Sequence, residues 1–192
     1  MIKKLNLKLF IENPEALDVE AVIPVFHGWI RDNLLEGLPI DVADYKHVPN
    51  GPGLMLIGHD GDYAIDFANG RSGLWYSHKR EWEATDLQGQ IRLAWERLIH
   101  AAQLLENDPT LDIRFSTAEI ELTLADRLNA PNNATTFALV RDDVQALLSE
   151  LFNATPVGLA WANEDTRRPF SVQATINHAP ALAELGTSKV AA

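Results

Sequence analysis

Between Asp44 and Ser77 the chain gathers the side chains best suited to chemistry: Asp44, His47, His59, Asp62, Asp66, Arg71 and Ser77. Asp44, His47, His59 and Asp62 are hard or borderline donors that suit zinc, manganese or iron. Together they would make a metal-dependent enzyme of hydrolase type, with a divalent metal as its cofactor. No His-Glu-x-x-His or comparable spacing backs that set. A histidine and an aspartate facing each other across a hairpin are more often a simple surface pair, so the leading expectation carries no cofactor. His59, Asp62 and Ser77 also invite a serine-triad reading, but the wiring is wrong. Histidine must stand between carboxylate and hydroxyl, whereas here the aspartate falls on the middle strand, and "GRSG" is not a Gly-x-Ser-x-Gly elbow. The glycines of "NGPGLMLIG" precede a strand and have the wrong spacing for a phosphate loop. They are turn punctuation.

The elements that must hold these residues are legible in the pattern. "LNLKLFI" alternates with Leu5, Leu7, Leu9 and Ile11 on one side, as a strand does. Pro24 suits a first helical turn, so a helix is expected from about Ile23 to Gly37 with Phe26, Trp29, Ile30 and Leu34 inward. "LPIDVADY" reads as a strand. Asp60-Gly61 and Asn69-Gly70 favour two-residue type I′ turns, which predicts a meander over 53–59, 62–68 and 71–78. A helix follows from Ala84 to Asn107. "LDIRFSTAEIELTLADRL" is a long strand whose apolar face switches near Ser116 or Thr117, which signals a bulge. "NATTFALVRDDVQALLSELF" is a capped helix, and "PVGLAWA" with "PFSVQATI" a closing hairpin. Residues 179–192 lack a useful stripe and read as a tail behind a single domain over 1–178.

The fold class is therefore α+β: a mainly antiparallel sheet in the order β-α-β-β-β-β-α-β-α-β-β with three helices packed on it. "LKLFIENP" with its helix and "LTLADRLNAP" with its helix echo one another, which admits two related β-α-β halves.

Meander register turns this into a map. One face holds Leu54, Leu56, Tyr63, Ile65, Phe67, Leu74 and Tyr76 and is core. The other places Met55 opposite Asp66, Ile57 opposite Ala64 and His59 opposite Asp62, with Trp75 beside Ala64 and Ser77 beside Asp62. An apolar centre of Met55, Ile57 and Trp75 inside a rim of His59, Asp62, Asp66 and Arg71 is where something docks. That something is a helix of the same chain, a second copy or a small-molecule ligand. Glu119 and Glu121 share one face of their strand but have no partner identifiable from sequence.

Composition narrows the partners. The 192 residues carry a net charge of −11 and no cysteine, which argues against nucleic acid and removes disulfides, thiolate metal sites and cysteine nucleophiles. No segment approaches the ~18 apolar residues of a membrane span, and the start "MIKKLNLKLF" has no signal-peptide core. A cytoplasmic protein without a membrane partner is expected. The run "IDVADYKHVPNGPGLMLIGHDGDYAID", with "APNNATTFALV" further on, resembles a family of bacterial proteins to which no activity is attached. That resemblance implies a bacterial, cytoplasmic protein and brings no catalytic residue with it. The leading expectation is a non-catalytic binding or interaction protein acting as a homodimer through the Met55, Ile57, Trp75 face.

Overall fold

The structure is a computed structural model that describes residues 2–80, 84 and 86–185. Eight strands run β1 (Leu5–Ile11), β2 (Pro39–Asp44), β3 (Pro52–Gly58), β4 (Gly61–Asp66), β5 (Gly73–His78), β6 (Phe115–Leu124), β7 (Val157–Trp161) and β8 (Phe170–Ile176). The helices are α1 (Val19–Asp32), α2 (Leu87–Glu106) and α3 (Ala134–Leu151), so the element order is the expected one. All eight strands join one sheet in the order β2-β3-β4-β5-β1-β6-β8-β7, and every pairing is antiparallel. β1 and β6 lie side by side near its middle, each opening a strand–helix–strand segment.

The helices pack on one face. Its strand residues, among them Leu5, Leu7, Leu9, Leu56, Tyr76, Leu122 and Val172, form a single core cluster with Phe26, Trp29, Trp95, Leu98, Leu148 and Phe152. The α2 stripe Ile91, Ala94, Trp95, Leu98, Ala102 and Leu105 is buried throughout, as a period of 3.6 residues demands. The bulge also stands where the apolar face switches: Leu9 pairs with Ile120 and Ile11 with Phe115, so residues 116–119 face Phe10 alone.

Three local features differ from expectation. The first helix begins at Val19, not near Ile23, because Asp18 caps it by accepting the Glu20 N–H at 3.0 Å. Pro24 then falls inside the helix, and Leu34 is left 43% exposed while Leu35 enters the core. At the β3–β4 turn neither Asp60 nor Gly61 takes positive φ. The turn is centred on His59-Asp60, and Gly58 fits it because a Cβ there would stand 2.4 Å from the Gly61 carbonyl. Asn69 and Gly70, by contrast, have φ of 59° and 68°, the left-handed pair their turn requires. Finally, residues 179–185 are held down: Leu182 and Leu185 are buried, and the Gln103 amide donates to both their carbonyls. The rest of the expected tail lies outside the described residues.

Candidate functional site: the uncovered sheet face

Among the described residues no helix or strand lies over the second face of the sheet. One row crosses all eight strands: Ala43, Met55, Ala64, Trp75, Lys8, Glu121, Gln173 and Ala160. A second runs Asp41, Ile57, Asp62, Ser77, Asn6, Thr123 and Ser171. The face thus has an apolar side over β2–β5 and a polar side over β1, β6 and β8. On the apolar side Met55, Ile57, Tyr45, Val48 and Pro52 line an open concavity of about 420 Å³, with Asp62 and Lys79 at its edge.

Lys8 marks the boundary between the two sides. Its side chain leaves its own row and runs over Gly73, where a Cβ would meet Lys8 Cε at 2.7 Å. The ammonium reaches Asp66 Oδ2 at 2.5 Å, and Lys8 is only 4% exposed. Asp66 also accepts the Ala68 N–H at 3.3 Å. Arg71 stacks on the Phe10 ring 3.6 Å from its centroid and pairs with Glu119, which accepts a further bond from Gln173 Nε2 at 3.0 Å. Lys79 holds Asp62 at 2.8 Å.

Three cations are thereby matched to three carboxylates; Asp41 at the exposed edge and the partly buried Glu121 are left over. Directly across the strand from Lys8, Glu121 forms no ion pair with a described residue. It is partly buried, and that desolvation pushes its pKa up against the opposing pull of Lys8, Arg71 and Arg168; the Asp66 charge raises it further. A carboxyl with a raised pKa amid named charges is a recurrent mark of functional surfaces.

The residues singled out from sequence scatter around this centre. Met55, Ile57, Asp62, Asp66 and Trp75 share the face, as expected. The first hairpin register is offset by two residues: Met55 pairs with Ala64 and Ile57 with Asp62, in place of Asp66 and Ala64. An offset of two leaves every side chain on its own face. It also takes His59 out of the row, into the turn, where its Nδ1 lies 2.8 Å from Asp60 Oδ1. The row containing Asp62 and Ser77 therefore has Ile57 where His59 was expected.

The four metal candidates have other partners. Asp44 accepts the Lys46 N–H at 2.9 Å, which is the main reason its pKa is lowered. The His47 ring lies 6.2 Å from that of Tyr45. His59 sits against Asp60, and Asp62 accepts the Gly58 N–H at 3.2 Å besides holding Lys79. Among the described residues no three histidine, aspartate, glutamate or cysteine side chains are grouped to hold a metal ion, and no described helix is long and apolar enough to cross a membrane.

No role for Lys8 is legible in the sequence, and Glu121 is legible there only as sharing a strand face with Glu119. Lys8 sits at an outward position of "LNLKLFI", a usable signal, but what it faces depends on strands far away in the chain. No protein family, curated protein or solved structure matches this chain.

Proposed function

We propose that the chain is a non-catalytic interaction protein that pairs with a second copy of itself through the uncovered sheet face. The observation that carries this reading is an eight-stranded sheet on whose second face no described helix or strand packs, with Trp75, Met55 and Ile57 partly exposed there. At ~4.8 Å between strands and ~3.4 Å per residue the face measures roughly 34 by 20 Å, about 700 Å². A standard protein interface takes ~800 Å² from each partner. The face therefore suits a protein better than a small ligand. Its local charges favour a like surface over a basic one, since Lys8–Asp66, Arg71–Glu119 and Lys79–Asp62 are already paired within it.

Sedimentation equilibrium tests this directly. The protein is expected to be dimeric at roughly 100 μM, and Trp75→Ala to weaken the dimer about 30-fold or more, as loss of a central aromatic anchor does. A strict monomer at that concentration, or a dimer indifferent to both Trp75→Ala and Met55→Glu, overturns the reading.

A further inference from the structure

The three ion pairs of the face leave two carboxylates without a cation, Asp41 exposed at the sheet edge and Glu121, partly buried within the surface assigned to the dimer. Glu121 is on β6, next to Lys8 of β1 in one direction and Gln173 of β8 in the other. The charged groups around it are Lys8, Asp66 of β4, Arg71 of the β4–β5 turn, Glu119 of its own strand, and Arg168 ahead of β8. Each cation but one is committed elsewhere: Lys8 to Asp66 and Arg71 to Glu119. Arg168 is exposed and donates to Asn69 Oδ1 at 3.1 Å. Gln173 is likewise spent on Glu119. A second copy laid on this face would take water away from the Glu121 carboxylate without supplying a charge, unless the carboxyl entered the contact neutral.

We propose that Glu121 links dimerisation to proton uptake: the face closes on its second copy with this carboxyl protonated and releases it as the carboxyl ionises. The inference rests on the dimer reading above and adds its control. The sign follows from burial. Dehydration disfavours the charged form, so Glu121 holds its proton more tightly in the dimer than in the free chain. Dimerisation is then fully favoured below the free chain's titration and fades as pH rises through the dimer's. As a neutral acid Glu121 also gains an O–H donor that the carboxylate lacks. The committed neighbours matter here, because a free lysine in the place of Lys8 would keep Glu121 ionised and abolish the link.

The experiment is sedimentation equilibrium from about pH 5 to pH 8 on the intact protein, on Glu121→Gln and on Glu15→Gln, an exposed acid off the sheet. The wild type is expected to lose affinity by about 10- to 100-fold per pH unit in the upper range, the slope for one or two protons released per dimer. Glu121→Gln, a near-isosteric neutral stand-in, should dimerise tightly at every pH with that slope gone, while Glu15→Gln keeps it. Glu15→Gln also controls for the general easing of repulsion between acidic chains as pH falls. A dimer whose slope survives in Glu121→Gln, or disappears equally in Glu15→Gln, overturns the proton link and leaves the dimer standing. A monomer at every pH in all three proteins overturns the dimer reading and this inference with it.

Discussion

Lys8 has two carboxylates within its reach and holds only one, which makes its removal and the removal of its partner unequal. Lys8→Met leaves Asp66 buried without a cation, supported by the Ala68 N–H alone. The two side chains are 5% and 10% exposed, so little water reaches the stranded charge, and breaking a buried pair in this way costs about 3–5 kcal/mol. Asp66→Asn strands the ammonium instead, but Glu121 stands directly across the strand from Lys8. Swinging the lysine back into its own row recovers part of the loss, so a cost of about 1–2 kcal/mol is expected for this variant. For a chain of this length each kcal/mol moves Tm by about 2–4 °C. Lys8→Met should therefore melt about 6–20 °C lower and Asp66→Asn about 2–8 °C lower. Urea unfolding followed by tryptophan fluorescence, at a protein concentration low enough to hold the monomer, measures both. The combination of Lys8→Met with Asp66→Leu should regain most of the loss, because apolar replacement of a whole buried pair is often neutral. Equal costs for the two single variants, a larger cost for Asp66→Asn, or additivity within about 0.5 kcal/mol would refute the account of Lys8 as diverted from Glu121.

Two further outcomes follow from the same structure. Burial pushes the Tyr76 phenol up to about 12 and Tyr63 higher still; their neutral forms belong to the folded state, so stability is retained up to about pH 10, the ordinary tyrosine range, and lost progressively above it. Absorbance titration at alkaline pH should show these two phenolates forming together with unfolding, and their formation in a chain still native by circular dichroism would contradict the burial. At the sheet edge, Asp41 Oδ1 accepts the Val42 N–H at 2.8 Å beside Leu38 and Ile40, which are 61% and 56% exposed; Asp41→Ala opens an apolar strand edge and should speed aggregation in light scattering, where the surface control Asp142→Ala should not.

How far the sequence reaches depends on whether the deciding contact is local. Asn69-Gly70 announces its turn because positive φ at two successive residues is a property of those two residues, and the β4–β5 register follows from it. Asp60-Gly61 has the same composition but a different fate: Gly58 and the Asp62 carboxylate close the turn one step earlier, and composition does not record that choice. A two-residue slip preserves alternation, so the expected register, though offset by two, puts Met55, Ile57 and Trp75 on the face where they lie. His59 has no such protection: it belongs to a row only in the expected register, and the actual pairing leaves it in the turn beside Asp60. Capping decided the first helix in a similar way, since Asp18 is a stronger start signal than Pro24. The site's polar half was illegible for another reason. Lys8 meets Asp66 across 58 residues, and Glu121 meets Lys8 through the β1–β6 pairing, which no turn encodes. An alternating strand shows that Lys8 faces away from the core; only the strand order shows that it faces two acids and can satisfy one. That surplus carboxylate turns a patch definable from sequence into a surface with a testable dependence on pH.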